Sequence, residues 1–200
     1  LLKTAGCDIV FIPTAEEIYD HQVVATSFSF DGLEDQMEGK FRKGHFDGVA
    51  TIVQKFFNII SPTNSYFGEK DFQQLQIIKK LVQKNNIPVR IIGCPVFREK
   101  DGLAMSSRNI KLGKKERKAA PFIYQSLKKI NLKLSETNIE ETLLFVEGQF
   151  EKHPILNLEY IFIAEEKTLQ TPKKLETSKK YRAFIAVNAG TVRLIDTISL

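Results

Sequence analysis

The stretch that decides the fold is residues 65–93, SYFGEKDFQQLQIIKKLVQKNNIPVRIIG. It begins with Ser65–Gly68 and ends with Val89–Gly93, two short apolar runs of the kind that form buried strands. Residues 71–85 lie between them and predict an amphipathic helix whose inward positions are Leu75, Ile78 and Val82. Strand, helix and strand in this order predict one parallel βαβ crossover. Its strand-to-helix turn is at Gly68–Asp71, where such sheets bind ligands.

The residues upstream continue the alternation of strand-like and helical segments. One helical face is formed by Val49, Ile52, Val53, Phe56, Phe57 and Ile60. Ser61-Pro62 ends that helix. Thr14 and Glu17 have the capping-box spacing, which predicts a short helix. The apolar run Asp8–Pro13 and the alternating side chains of Val23–Phe30 predict two further strands.

The first residues predict an incomplete chain. Leu1–Gly6 has the pattern of a helix end with glycine at its stop, and the strand-like run follows at once. A helix end requires a helix before it, and the sequence begins without methionine. We therefore expect a fragment that opens in the middle of an α/β unit.

After Pro95 the helices and strands are segregated. Two helices are predicted, over about 114–134 and 139–152, the second opened by the capping-box pair Asn138 and Glu141. Three strands are predicted, at Leu158–Ala164, Tyr181–Val187 and Thr191–Asp196, the last two joined by the turn Asn188–Gly190.

These patterns predict an α/β fold class with two parts. Residues 1–97 form a partial parallel sheet with covering helices, and residues 98–200 form a small α+β domain. The boundary is expected near Phe97.

Composition and charge limit the classes of function. The chain is 42% hydrophobic and 26% charged, and no apolar run approaches the roughly 20 residues that a membrane helix needs. We therefore expect a globular, cytoplasmic protein. The net charge of +5 comes from lysines spread over both halves, so a phosphate-bearing small substrate explains it as well as nucleic acid does. Cys7 and Cys94 lie in or beside apolar runs, which favours buried, reduced thiols.

One segment suited to chemistry is Phe67–Gln74, on the predicted strand-to-helix turn. Free N–H groups and the helix dipole favour an anion there, and Lys70 supplies a point charge for phosphate. Asp71 has two open interpretations, since it can accept from ribose hydroxyls or cap the helix. Gln74 lies on the same helix face and can hold a hydroxylated substrate, although an isolated glutamine is more often a solvated side chain.

A second segment is Asp101–Asn109. Its hydroxyls at Ser106 and Ser107, beside the guanidinium of Arg108, form a compact set of donors for the charge of a transferring phosphate. The alternative is a polar linker in which one of the serines caps a helix. The three histidines are scattered, so we expect no metal site and a surface or hydrogen-bonded role for His21, His45 and His153.

Taken together, three segments resemble the pantothenate synthetase family, within the nucleotidylyltransferase group of Rossmann-like enzymes. They are the basic loop Arg42–Val49, the nucleotide loop Gly68–Gln74, and Asp101–Asn109, which resembles the family's counterpart of the lysine-and-serine loop of class I aminoacyl-tRNA synthetases. The similarity runs along essentially the whole chain, and three long matches in order are highly specific. The resemblance implies a Rossmann-like sheet up to residue 97 and a C-terminal lid domain after it.

The resemblance also implies a role for each matching residue. Lys70 would contact phosphate, Asp71 ribose, and Gln74 pantoate, while Phe97 would support adenine through its backbone. The implied ATP-binding residues are Gly68, Glu69, Lys70, Asp71, Phe97, Met105, Ser106, Ser107 and Arg108. The implied catalytic residues are Lys70, Ser106, Ser107 and Arg108.

The implied reaction joins pantoate to β-alanine, with ATP as a substrate and Mg²⁺ carried by the nucleotide. The pantoate carboxylate attacks the α-phosphorus of ATP, and the amine of β-alanine then displaces AMP from the pantoyl adenylate. A homodimer is expected, both from the resemblance and from the apolar stretch Val23–Phe30. Neither nucleic acid nor a membrane is an expected partner.

Two departures from the family pattern qualify the expectation. Lys43 stands where proline is expected, which alters the stiffness of the loop. The family's His-x-Gly-His phosphate motif and a second pantoate-binding glutamine would lie upstream of Leu1, and His45 does not replace them because it lies in another loop. We therefore expect this chain alone to be inactive. The alternatives are a class I synthetase-like enzyme acting on tRNA, another adenylate-forming nucleotidylyltransferase-like enzyme, and a non-catalytic dimerising fragment.

Overall fold

The computed structural model describes residues 2–19 and 24–200. The helices in these ranges are α1 (Ala15–Tyr19), α2 (Met37–Phe41), α3 (His45–Ile60), α4 (Phe72–Lys84), α5 (Lys114–Ala119), α6 (Phe122–Leu134) and α7 (Ile139–Glu151). The strands are β1 (Asn64–Gly68), β2 (Arg90–Cys94), β3 (Leu156–Glu165), β4 (Tyr181–Ala189) and β5 (Val192–Ser199). Leu1, His21 and Val23 lie outside the described residues.

The βαβ crossover predicted from residues 65–93 is confirmed. β1 and β2 pair in parallel, from Asn64 opposite Arg90 to Gly68 opposite Cys94. Helix α4 connects them and buries Leu75 and Ile78 completely, while Val82 is only partly buried. The turn that follows β1 therefore lies at the carboxyl edge of the small sheet, where α/β folds place their ligands.

Helix α3 carries the predicted apolar face but does not bury all of it. Phe57 is buried, and the Phe56 ring meets Phe11 edge-on with their centroids 6.2 Å apart. Ile60 is 53% exposed, so no described residue covers the end of this face. Ser61 ends the helix with a φ of 48°, immediately before the predicted breaker Pro62.

The strand predicted over Val23–Phe30 is wrong for its described part, residues 24–30. These residues are not paired with any described strand, because every second backbone N–H from residue 26 to 30 donates to a side-chain oxygen, and the acceptors are those of Thr51, Asp47 and Glu34. The rings of Phe28 and Phe30 stack with centroids 5.7 Å apart, and Phe30 enters the core. The alternation therefore reflects an extended segment held by side chains.

The start of the chain also differs from the expectation. Residues 2–6 form a turn that Gly6 closes with a φ of 78°, and Asp8–Pro13 is not a strand. Ile9 and Ile12 are 85% and 83% exposed. The capping box is confirmed, since the Glu17 N–H donates to Thr14 Oγ1 (3.2 Å) and the Thr14 N–H to Glu17 Oε2 (2.7 Å).

In the second half, α6 and α7 pack on an antiparallel sheet of order β3-β4-β5. The predicted helix over residues 114–134 is two helices, because Pro121 has no N–H to donate and ends α5. The Asn138 cap of α7 is confirmed by the Glu141 N–H, which donates to Asn138 Oδ1 (2.9 Å). The β4–β5 turn is shorter than predicted and consists of Gly190, at a φ of 60°, and Thr191, because β4 continues to Ala189.

The two halves share a hydrophobic cluster. Phe72 of α4 meets Phe184 of β4 with centroids 6.0 Å apart, and Tyr160 of β3 belongs to the same cluster. Both cysteines are free, but Cys7 is exposed, contrary to the expectation of two buried thiols, whereas Cys94 is partly buried in β2. No helix in the described ranges is both long enough and apolar enough to span a membrane.

Candidate active site

A cleft of about 320 Å³ lies where the βαβ unit meets the antiparallel sheet. Its walls are the turn after β1, helix α2, the start of α3 and the inner faces of β4 and β5. Of the residues predicted for the site, the cleft is lined by Lys70, Asp71, Gln74, Ser106 and Arg108. Those that do not line it are Gly68, Glu69, Phe97, Met105 and Ser107.

The turn after β1 carries a cation and a carboxylate, Lys70 and Asp71, whose side chains make no hydrogen bond with any described residue. Asp71 precedes α4 but makes no side-chain capping bond, so the structure contradicts the capping interpretation. Its nearest ionic contact is Lys70 Nζ, 3.6 Å away. Gly68 is extended, with a φ of −69°, and a Cβ built there meets nothing within 4 Å. The space above this turn is therefore open to a ligand.

Glu69 in the same turn is committed to another element. Its Oε2 accepts from Arg182 Nη2 at 3.1 Å, and Arg182 also donates to Glu166 at 3.0 Å. The guanidinium lies 4.1 Å from the centroid of the Phe72 ring. This arrangement connects the turn to β4 and so holds the backbone position of Lys70, the next residue in the chain.

The two neighbouring glutamines have different roles. Gln73 is buried, and its amide accepts from the Glu38 N–H (3.0 Å) and donates to the carbonyls of Leu33 (2.9 Å) and Gln36 (2.8 Å). It therefore braces α2 against α4. Gln74 faces the cleft, and its side-chain amide makes no hydrogen bond with any described residue. A free amide facing a cleft is suited to a hydroxylated ligand.

The loop of residues 97–109 is held to the sheet by Arg98. Its guanidinium binds the buried carboxylate of Asp196 in a fork, at 2.6 and 3.0 Å, and stacks 3.6 Å from the centroid of Tyr124. Burial raises the pKa of Asp196, and the Arg98 charge opposes that shift. Phe97, whose side chain is 75% exposed, accepts the Met105 N–H at its carbonyl (2.9 Å).

Ser106 performs the alternative role proposed for it and also lines the cleft. Its Oγ accepts from the Arg108 N–H at 3.2 Å, which caps the short 3₁₀ helix Ser107–Lys111. Arg108 Nη1 donates to the carbonyl of Arg193 at 3.0 Å. The side chain of Ser107 is exposed.

A largely buried ionic network that lines the cleft was not predicted from the sequence. Glu38 is bound by both terminal nitrogens of Arg193, at 2.6 and 3.0 Å, and by the hydroxyl of Tyr160 at 2.7 Å. Arg193 binds Glu159 as well, at 2.7 Å. Burial alone would raise the pKa of Glu38, but the hydrogen bonds from Arg193 and Tyr160 outweigh it and lower the pKa. Burial and the Glu38 charge raise the pKa of Tyr160, which stays protonated.

His45 at the start of α3 lines the cleft beside Arg42. Arg42 Nη1 lies 3.0 Å from His45 Nε2, and a guanidinium can only donate, so Nε2 accepts and the ring is neutral. Burial and then the Arg42 charge lower the pKa of His45. The hydrogen-bonded role expected for this histidine is confirmed. Its place in the cleft was not predicted. The sequence signal for it was the three-residue spacing between Arg42 and His45 in the basic loop.

The charges facing the cleft favour an anionic ligand. Its cations are Arg42, Lys70, Arg108 and Arg193, and its carboxylates are Glu38, Asp71 and Asp196. Two of the carboxylates are already engaged by arginines, which leaves Lys70 and Arg108 without a buried carboxylate partner. The described residues include no group of three or more His, Cys, Asp or Glu placed to hold a metal ion.

The chain is similar to known proteins along its whole length. The family model described as "Pantoate-beta-alanine ligase" matches residues 1–199. The pantothenate synthetase of Christiangramia forsetii is 49% identical over 201 residues, which cover 100% of this chain and 71% of that relative. The pantothenate synthetase of Flavobacterium psychrophilum is 50% identical over 192 residues, which cover 96% of this chain and 68% of the relative.

Solved structures give the same result and confirm the predicted fold class. The pantothenate synthetase of Thermus thermophilus has a TM-score of 0.90 at 34% identity, covering 98% of this chain and 71% of that one. The pantoate-beta-alanine ligase of Francisella tularensis, solved with beta-gamma ATP and beta-alanine, has a TM-score of 0.76 at 33% identity, covering 99% of this chain and 67% of that one. By sequence and by fold, this chain belongs to the pantoate–β-alanine ligase family.

Proposed function

We propose that the chain supplies most of an ATP-dependent ligase that condenses pantoate with β-alanine and releases AMP and diphosphate. The observation that carries the proposal is the cleft, because it is lined by two cations, Lys70 and Arg108, and by the free amide of Gln74. Lys70 and Arg108 can neutralise phosphate charge, and the amide can bind a hydroxy acid beside it.

The proposed assignments follow the walls of the cleft. Lys70 binds phosphate, Asp71 accepts from the ribose hydroxyls, and Gln74 holds pantoate. The open space above Gly68 admits the nucleotide close to the backbone. The second loop completes the ATP site through the Phe97 backbone and the residues Met105, Ser106, Ser107 and Arg108.

Both steps proceed without a protein nucleophile. A carboxylate oxygen of pantoate attacks the α-phosphorus of ATP, the bond from that phosphorus to the bridging oxygen breaks, and diphosphate leaves. The neutral amine of β-alanine then attacks the acyl carbon, AMP leaves, and the nitrogen loses a proton. The protein contributes orientation and preorganised positive charge. Mg²⁺ would bind through the phosphate oxygens, because Glu38 and Asp196 are held by arginines.

A division near Phe97, a homodimer and a cytoplasmic location also remain proposals. The apolar stretch that motivated the dimer is partly buried, but Val24 is 68% exposed and Ile9 and Ile12 are more so. Light scattering at micromolar concentration tests the dimer, and a monomeric mass would contradict it. Failure to bind RNA at physiological salt would separate this proposal from a tRNA-directed synthetase.

The decisive experiment uses a fusion enzyme, in which this chain is joined to the part of the C. forsetii relative that lies outside the match. We expect AMP release that depends on both pantoate and β-alanine, preceded by a pantoate-dependent burst of diphosphate. Diphosphate release that does not depend on pantoate would refute the proposed function. RNA-dependent AMP release would favour the synthetase-like alternative.

A further inference from the structure

Arg193 occupies the point where the two walls of the cleft meet. Its side chain leaves β5 and binds Glu38 of α2 through both terminal nitrogens, across 155 positions of sequence. Its Nε binds Glu159 of β3 at 2.7 Å. The side chain of Arg193 is 23% exposed and that of Glu38 only 11%, so the pair is largely shielded from water. Its planar fork gives this contact a defined geometry that a point charge would not.

The backbone of the same residue holds the second phosphate cation. The Arg193 carbonyl accepts from Arg108 Nη1 at 3.0 Å, and this is the contact that turns the Arg108 side chain toward the sheet. Any shift of β5 relative to α2 therefore moves the carbonyl on which Arg108 rests.

Glu38, the partner of Arg193, connects to the wall formed by α2, α4 and the turn that carries Lys70. The Glu38 N–H donates to the buried Gln73, which precedes Gln74 on α4. Helix α4 begins directly after Lys70 and Asp71, so the hydrogen bonds of Gln73 connect α2 to the helix that follows the turn carrying the first cation. The Glu38–Arg193 pair joins this wall to β5, the strand whose Arg193 carbonyl accepts from Arg108; the Glu69–Arg182 pair is a second ionic contact between the turn and the sheet, at β4.

We propose that Arg193 is a positioning residue that sets the placement of Arg108 relative to Lys70 and Gln74 during adenylate formation. It acts through Arg108, because its own guanidinium is engaged by Glu38 and Glu159. This inference rests on the proposed function and adds to it a residue that couples the acid-binding wall to the phosphate-binding loop.

The test is a double-mutant cycle in the fusion enzyme, read by single-turnover adenylate formation with both substrates saturating. Arg193→Met should lower the rate by about tenfold or more, since misplacing a group that is remote from the chemistry can cost up to about 10²-fold. In an Arg108→Ala background the same change should cost less than about twofold, because the residue through which it acts is absent. Arg193→Lys should recover only part of the rate.

A matched control is Arg90→Met, on the exposed edge of β2, which should stay within about twofold of the parent. If Arg193→Met does not fold, as judged by thermal melting, Glu38→Gln replaces it, because it removes the charge and keeps the shape. The same loss should then depend on Arg108.

Equal losses with and without Arg108, or a near-parental rate in Arg193→Met, would overturn the inference while leaving the proposed function in place. A parent fusion enzyme without pantoate-dependent adenylate formation would overturn both. A drop in melting temperature with unchanged single-turnover rate would show that Arg193 only stabilises the fold.

Discussion

Removal of the Arg98 side chain should destabilise the protein far more than removal of an exposed arginine. Arg98 forms a two-point ion pair with Asp196, whose side chain is only 3% exposed, and donates to the carbonyls of Gly102 (3.1 Å) and Thr197 (3.2 Å). Arg98→Met leaves that carboxylate buried without its partner. The loss expected from breaking such a pair on one side is about 3–5 kcal/mol of unfolding free energy.

The control is Arg117→Met. Arg117 also pairs with an aspartate, Asp101, but the two side chains are 36% and 39% exposed. Exposed pairs are screened by water and contribute about 0–1 kcal/mol. The two substitutions are chemically identical, so the difference between them measures the burial of the Arg98–Asp196 pair together with the additional contacts of Arg98 to the Gly102 and Thr197 carbonyls and to Tyr124.

The pH dependence has a definite sign. Burial raises the pKa of Asp196 above its ordinary value, so this group stabilises the fold at pH below its unfolded pKa and loses that contribution as pH rises through the folded pKa. Loss of Arg98 removes the charge that opposes the shift and raises the pKa further. The gap in stability between Arg98→Met and the parent should therefore widen from pH 4 to pH 7, taken as roughly the range on either side of a carboxyl pKa.

The assay is urea unfolding of the fusion enzyme and its variants, followed by circular dichroism at both pH values. Adding Asp196→Asn to Arg98→Met should restore part of the loss, because it removes the buried charge and keeps an acceptor for the Thr197 N–H, which now donates to Asp196 at 2.7 Å. Losses of equal size in Arg98→Met and Arg117→Met would refute the reasoning.

Three further predictions concern the site. Lys70→Ala or Arg108→Ala should lower the adenylation rate of the fusion enzyme by roughly 10² or more, with little change in melting temperature. Gln74→Ala should weaken pantoate binding and leave ATP affinity unchanged. Near-parental rates with lowered melting temperatures would contradict these roles. The 200-residue chain alone should make no pantothenate, because it covers only 71% and 68% of the length of two pantothenate synthetases; AMP release from this chain that depends on both pantoate and β-alanine would show otherwise. Because burial and Arg42 lower the pKa of His45, the contribution of His45 to stability should be present above about pH 6.5 and lost as the pH falls. His45→Gln can still accept from Arg42, so the unfolding free energy of this variant should fall less than that of the parent between about pH 7.5 and 5. An equal fall in both proteins would exclude His45 as the source of the pH dependence.

The features that were predicted correctly are those whose causes lie close together in the sequence. The apolar spacing of residues 71–85 predicts α4, and the pairs Thr14/Glu17 and Asn138/Glu141 predict caps that the structure forms. The helix predicted over residues 114–134 is divided in two because the effect of Pro121 on helix continuation was not taken into account. This error, too, concerns neighbouring residues. Lys70, Asp71, Gln74, Ser106 and Arg108, which line the cleft, were candidates in the sequence because each lies in a motif of adjacent residues.

The amino-acid sequence by itself determined the βαβ unit, the α+β second half and the two loops that carry the candidate residues, because hydrophobic periodicity and capping act over a few positions. Only the tertiary structure decided which groups satisfy each other over long separations. In the sequence, residues 24–30 have the pattern of a strand, but in the structure their N–H groups donate to side-chain oxygens. Glu38 has the sequence pattern of a surface acid, but in the structure it binds Arg193, 155 positions away. Burial makes such contacts strong, and burial is a property of the assembled fold.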